Sequence, residues 1–243
     1  MEPKPRGWEA RYGAWFEEPS VAERYGLRPG YPGCGLGDLA RPLAPLVARV
    51  DALDRADAML AAARSRPGAD APNLRFLHGD VETAELDPPY ALVVCGDSVH
   101  WFDWERAFPR FAAVLSPNGR LAIVHRTWFH DRELRALLDP IYARHGANPD
   151  FAALDLIEEL ERRNLFASEG RRTTARAPWR PTLDDMIGCH HSQSGFVLEQ
   201  MADAGAFDRE LREAASAFPV GPDGRFELEV AAQLVWGRPM PFD

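Results

Sequence analysis

The chain has 243 residues, 46% of them hydrophobic, enough to bury a full core within one domain. A net charge of -9 excludes a basic nucleic-acid-binding surface, and no apolar run reaches the roughly 20 residues that cross a bilayer. Cys34, Cys95 and Cys189 lack metal-type spacing and no apolar segment follows the N-terminus, so the expectation is a cytoplasmic protein with free thiols, no secretion signal and no metal centre.

Trp8, Tyr12, Trp15 and Phe16 fall at i, i+4, i+7 and i+8, which predicts a short amphipathic helix whose aromatic stripe packs on the core. Ser20 to Tyr25 adds another helical turn. The Pro/Gly-rich segment Leu27-Arg28-Pro29-Gly30-Tyr31-Pro32 then leads into Gly33-Cys34-Gly35-Leu36-Gly37-Asp38. After this glycine turn, Leu39, Leu43, Leu46 and Val47 give a helical face, with Pro42 tolerated near its first turn.

Arg49 to Asp54 reads as a short buried strand ending in an acid, and Ala56, Met59, Leu60 and Ala63 as the helix after it. Leu74 to Leu77 is a strand ending at His78-Gly79-Asp80, and Tyr90 to Gly96 is the most apolar strand of the chain. Trp104, Phe108, Phe111 and Leu115 mark a helix with Asp103 as its N-cap. Pro117-Asn118-Gly119 turns the chain into the strand Arg120 to His125. Continuous apolar strands alternating with helices indicate a parallel sheet covered on both faces.

The second half is more helical. Leu134, Leu137, Leu138, Ile141 and Tyr142 form a stripe interrupted by Pro140, and Leu154, Ile157 and Leu160 form another ending near Phe166. Arg171 to Trp179 is a candidate strand, and Thr182 to Phe218 is largely helical. From Phe226 to Trp236 apolar residues alternate with polar ones, a period-2 pattern that predicts an antiparallel strand near an edge.

The chemistry lies at the strand ends. Glycines at alternate positions let the backbone approach a ligand, and a helix starting after them offers free N–H groups to a polar cofactor. Asp54 ends the next strand, where a carboxylate can accept from both hydroxyls of a ribose. Asp80 follows the strand after that, within reach of an adenine amino group, and Cys95-Gly96-Asp97-Ser98 closes the third. Ligands of open α/β sheets bind outside such carboxyl ends. The dinucleotide pattern G-x-G-x-x-G is absent: the spacing is G-x-G-x-G, with Asp38 in the place of the third glycine. An acid there repels a pyrophosphate but suits a cofactor carrying a sulfonium and an ammonium. This points to S-adenosylmethionine and disfavours an NAD-type oxidoreductase.

These stretches resemble the class I S-adenosylmethionine-dependent methyltransferases, in particular bacterial small-molecule members that begin with an Arg-Pro-x-Tyr-Pro segment. The similar segments are Arg28-Pro29-Gly30-Tyr31-Pro32, Gly33 to Ala40, Val50 to Asp54, Gly79-Asp80-Val81-Glu82, Ser98-Val99-His100-Trp101, Leu115 to Leu121, Trp179 to Thr182 and His191 to Phe196. The resemblance implies a doubly wound, mostly parallel Rossmann-like sheet with a C-terminal antiparallel strand and a helical lid. It also implies methyl transfer from S-adenosylmethionine to a small-molecule acceptor. Carried over by position, Gly33, Gly35 and Gly37 contact the methionine end, Asp54 the ribose, Asp80 and Val81 the adenine, and Gly96 and Asp97 flank the reacting methyl. His100 is the candidate general base for an acceptor hydroxyl or amine. His190 and His191 point about 100 degrees apart on a helix, which argues against a shared metal and for a substrate-facing or lid role.

One departure stands out. The resemblance implies a helix and a first, central strand between the Tyr-Pro segment and the glycine turn, yet Pro32 is bonded directly to Gly33. The strand has no residues to form it, since proline cannot donate in a central ladder. Another segment replaces it, its neighbours pair directly, or the sheet is split. An empty slot between Arg49–Asp54 and Tyr90–Gly96 would favour a non-catalytic relative with impaired cofactor binding. The expected organisation is a single domain over 1–243: a cap segment (1–32), a cofactor-binding core (33–126), a helical lid with a sixth strand (127–222) and a final strand (223–243).

Overall fold

The computed structural model describes residues 3–28, 36–127, 132–148, 150 and 155–240. Two short helices, α1 (Ala10–Gly13) and α2 (Pro19–Tyr25), open the chain and are joined by a 3-10 turn over Ala14–Glu17. Beyond the glycine turn, α3 (Ala40–Leu43) passes into a 3-10 turn over Ala44–Leu46, shorter than the helical face predicted. Pro42 and Pro45 withhold two backbone donors in six residues, which explains the early stop. Leu46 and Val47 are consequently left exposed.

Strand β1 (Val50–Asp54) pairs in parallel with β2 (Leu74–His78), with Val50 opposite Leu74 and Asp54 opposite His78. Helix α4 (Asp57–Arg64) makes the crossover and buries Met59, Leu60 and Ala63, an i, i+1, i+4 face as read from the sequence. These two strands form a sheet of their own.

The larger sheet begins with β3 (Tyr90–Gly96), which pairs in parallel with β4 (Leu115–Thr127). Between them runs α5 (Trp104–Val114), capped as expected by Asp103, whose side chain accepts from the Glu105 N–H. The Pro117-Asn118-Gly119 turn is absorbed into β4 as an irregularity. From Leu115 to Arg120 the strand advances five residues while β3 advances only from Tyr90 to Leu92.

Helix α6 (Arg132–His145) continues through Pro140, and α7 (Leu156–Arg162) follows. The predicted position Leu154 lies outside the described residues. Strand β5 (Phe166–Thr173) starts five residues before the expected strand, and β6 (Ala177–Trp179) completes it after a break. Helices α8 (Leu183–His191) and α9 (Ala204–Ser216), with 3-10 turns between, fill the largely helical stretch.

Strand β7 (Leu228–Pro239) is antiparallel and near an edge, as its alternation predicted, one strand in from β5. It is bonded to β4 on one side and to β5 and β6 on the other, in the order β3-β4-β7-β5. Since β5 opposes β7 and β7 opposes β4, every strand except β7 shares one direction, a mostly parallel sheet. The main core lies under this sheet, from Trp8, Trp104, Phe108 and Phe111 to Leu121, Ile123, Leu160 and Phe166. A second core joins α6, α8 and α9.

Among the described residues no strand lies between β1 and β3, so the sheet is split where the sequence lacks a strand. Both flanking strands carry the consequence. β1 is half-buried along its whole length, and Leu92 on the most apolar strand is 43% exposed. The gap is bridged at the strand starts, where the Tyr90 hydroxyl donates to the buried Asp51 carboxylate at 2.5 Å. Asp51 also takes a two-pronged contact from Arg75 at 2.7 and 2.8 Å. Arg49 stacks over the Tyr90 ring and pairs with Asp87. Further links join the Arg110 guanidinium to the Ala84 carbonyl and the Asp103 N–H to Glu82, the latter at 2.8 Å. No described helix is long and apolar enough to cross a membrane.

Candidate active site

The carboxyl ends of β1, β2 and β3 face the same edge. Asp54 ends β1, its Oδ1 accepting the Ala56 N–H at 2.8 Å, and desolvation raises its pKa despite the backbone donors. Among the described residues no cationic side chain stands within ion-pairing distance of it. Gly79 follows β2 and donates from its N–H to the Asp54 carbonyl at 3.0 Å, which locks the two ends together. Asp80 comes next, half-exposed and 3.5 Å from Arg55, and Val81 packs against the main core. Gly96 and Asp97 end β3. The Asp97 N–H continues the ladder to the Val124 carbonyl at 2.9 Å, although its φ of 44° is left-handed. Gly37 also has positive φ, 76°, which suits a glycine. Gly33 and Gly35 lie outside the described residues.

Beside this edge opens a cavity of about 470 Å³. Trp8, Phe16 and Trp101 form an aromatic wall, Ile123, Ile157 and Val235 an apolar one, and Arg28, Asp97, His100, His125 and Asp155 bring charge. The wall is held from the N-terminus. Lys4 donates to the carbonyls of His100 and Phe102 at 2.6 and 3.0 Å, and Gly13 lets α1 approach until an added Cβ would stand 2.9 Å from Trp101. The aromatic stripe is thus divided. Trp8 and Tyr12 are core residues, as expected, while Trp8 and Phe16 also face the cavity.

Two histidines reach this space in different electrostatic states. His100 is half-buried, its ring edge-on to Trp8 and 4.3 Å from that of Trp101, and burial lowers its pKa to about 4. His125, near the end of β4, is 64% exposed, and its Nδ1 lies 2.6 Å from Asp97 Oδ1. That hydrogen bond raises its pKa above the ordinary value, against the opposing effect of desolvation. Asp97 Oδ1 also accepts the Arg126 N–H at 3.3 Å. The Arg126 side chain lies buried on the opposite face of β4, and burial lowers its pKa and that of Arg28. Arg28 is anchored by Ser192, donating from Nε to its hydroxyl at 2.7 Å, and stacks 3.8 Å over the Tyr25 ring.

His190 and His191 do not face the cavity. Both are buried in the second core, where His190 Nδ1 meets the Met186 carbonyl at 2.7 Å and Nε2 meets the Tyr142 hydroxyl at 2.5 Å. His191 is held by Asp208 at 2.7 Å and the Phe196 carbonyl at 2.8 Å. Of the substrate-facing or lid role expected of them, the substrate-facing half does not hold: they pin the helical region together, away from the cavity. Among the described residues no three His, Cys, Asp or Glu side chains gather as metal ligands.

The residues reached from sequence therefore divide. Asp54, Asp80, Val81, Gly96 and Asp97 share one edge and His100 lines the adjoining cavity. His125, which also lines the cavity, was not among the residues singled out from sequence. The signal was its place at the end of the strand Arg120 to His125, on the same edge as Asp97.

Comparison with known proteins accords with this geometry. A family described as "Methyltransferase domain" matches residues 32–119. Malonyl-[acyl-carrier protein] O-methyltransferase 1 of Ilyobacter polytropus is 29% identical over 139 residues, 55% of this chain and 50% of that protein. The chain thus spans about half the length of this curated relative. Among solved structures, one described as a type II methyltransferase from Anaeromyxobacter dehalogenans superposes with a TM-score of 0.61 at 22% identity, covering 91% of this chain and 97% of that one. A Bacillus halodurans structure described as a methyltransferase gives 0.51 at 17% identity, covering 90% and 97%. These two likenesses establish the fold.

Proposed function

We propose that the chain is a class I S-adenosylmethionine-dependent methyltransferase that methylates a small-molecule acceptor held in the cavity beside the strand ends. The observation that carries this reading is the ordered series of Asp54, Gly79-Asp80 and Gly96-Asp97 at the strand ends, whose last member, Asp97, lines an aromatic-walled cavity. The donor set suits S-adenosylmethionine. Asp54 is a half-buried carboxylate that can accept two ribose hydroxyls, Asp80 and Val81 offer a polar and an apolar contact for adenine, and Gly33, Gly35, Gly37, Gly96 and Asp97 are assigned to the methionine end. When bound, the cofactor supplies an electrophilic methyl group on a sulfonium. The protein's share is to hold the acceptor in line with that methyl, keep water out with Trp8, Phe16 and Trp101, and manage the acceptor's proton. The Ilyobacter relative is named for O-methylation of a malonyl group, whose free oxygen is a carboxylate. We place the reaction in the cytoplasm, consistent with the free, buried thiols of Cys95 and Cys189.

Calorimetric titration with S-adenosylmethionine tests the reading: a saturable heat with one site per chain is expected. Among the described residues no strand lies between β1 and β3, and together with a displaced glycine turn this would favour a second reading, a relative that keeps the fold and has lost cofactor binding. A folded sample that gives no heat would favour that alternative.

A further inference from the structure

We propose that His125, oriented by Asp97, is the proton acceptor of the transfer, and that the acceptor molecule therefore arrives carrying an O–H or N–H proton. The inference rests on the methyltransferase reading and adds to it a base and a substrate class. An ionised carboxylate only accepts hydrogen bonds, so the 2.6 Å contact requires His125 Nδ1 to carry the hydrogen. In the neutral ring this leaves the lone pair on Nε2, and the exposed ring borders the cavity together with Gln233, its register partner on β7. A carboxylate bound to one imidazole nitrogen while the other faces the reacting group both fixes the tautomer and strengthens the base.

The groups around His125 work in the same direction or are weaker. Asp97 after β3 and Asp155 before α7 raise its pKa, Arg126 on its own strand lowers it, and the hydrogen bond to Asp97 is the largest influence. Arg28 and His100 also border the cavity. His100 stays neutral there, with a pKa near 4 that makes it a weak base at neutral pH. It is a wall of the cavity, and the proton goes to its neighbour.

The balance of the step is simple. As the acceptor oxygen or nitrogen forms its bond to the methyl carbon, its proton passes to His125 Nε2, the carbon–sulfur bond breaks, and that electron pair stays on sulfur as a neutral thioether. His125 then returns its proton to solvent through its exposed edge. A carboxylate acceptor, already ionised at neutral pH, would need none of this.

Two measurements test the proposal. In ¹⁵N NMR of the imidazoles, His125 is expected as the Nδ1–H tautomer with a pKa above the free value of about 6.5, falling towards it in Asp97→Asn. An Nε2–H tautomer, or a pKa that Asp97→Asn leaves unchanged, overturns the dyad. Labelled-methyl transfer is then followed to phenols, alcohols, amines and short carboxylic acids sized for the cavity. Transfer to a phenol, alcohol or amine is expected to fall at least tenfold in His125→Gln while the dissociation constant for S-adenosylhomocysteine holds. Undiminished transfer in that variant, transfer to carboxylates only, or transfer to no protic member of the panel overturns it. Failure of the native protein to bind S-adenosylmethionine would instead sink the methyltransferase reading itself.

Discussion

Asp54 has a place in the fold and, in the proposed function, a place in the site. Its Oδ1 takes the Ala56 N–H and so shapes the turn into α4, while its desolvated carboxyl faces the edge where a ribose would lie. Asp54→Ala is expected to weaken S-adenosylhomocysteine at least tenfold, about 1.4 kcal/mol, by titration calorimetry; an unchanged affinity would remove Asp54 from the site. If His125 is the base, the Asp97–His125 pair sets the pH dependence. The base works when neutral, so the rate should climb as pH rises through the raised pKa of His125, and Asp97→Asn should move that climb to lower pH. A pH–rate profile insensitive to Asp97→Asn would contradict it. At this scale the sequence was informative where an acid closes a strand, because the carboxyl edge of a parallel sheet is where ligands collect. His125 was passed over because nothing in a strand-terminal histidine reveals that Asp97, 28 residues earlier, will hold it.

Among the elements, α8 is a helix built around buried imidazoles. Burial lowers the His190 pKa to about 4, below its value of about 6.5 in an unfolded chain. Between those values the unfolded state binds the proton more readily, so stability from this group is present above pH 6.5 and declines as pH falls towards 4. The loss should be on the order of 2–3 kcal/mol, read as a falling urea midpoint. Substitution of His190 by Gln should flatten that decline, and an equally steep decline would contradict it. The bridge at the strand starts gives a second case. Tyr90→Phe removes a donor to buried Asp51 and should cost about 1–2 kcal/mol in urea denaturation; an unshifted midpoint would show the bridge to be inert. The strands β1 to β4 were legible because continuous apolar runs between helices have few other homes. The early start of β5 was not, since a pairing partner far away in sequence decides it.

For the molecule as a whole, the split sheet is the governing fact. Pro32 bonded to Gly33 foretold a missing strand, but not whether its neighbours would close up. Among the described residues they stay apart, tied by Tyr90, Arg49 and Asp51 at the strand starts and by the Asp103–Glu82 and Arg110–Ala84 contacts beyond the strand ends. Strands β1 and β2, with one neighbouring ladder fewer, should exchange their amide hydrogens through a local opening well below the global stability, while β4 and β7 exchange only on global unfolding. Uniform protection across both sheets would contradict the split. The proposed site straddles this gap, with Asp54 and Asp80 at the strand ends of the smaller sheet and Gly96 and Asp97 at a strand end of the larger. Its integrity is tested most directly by adding S-adenosylhomocysteine to ¹⁵N-labelled protein and following the backbone amides. Binding across the gap predicts saturable shifts at Asp54 to Ala56, Gly79 to Val81 and Gly96 to Ser98 together; shifts confined to one sheet, or none in a folded sample, would contradict it.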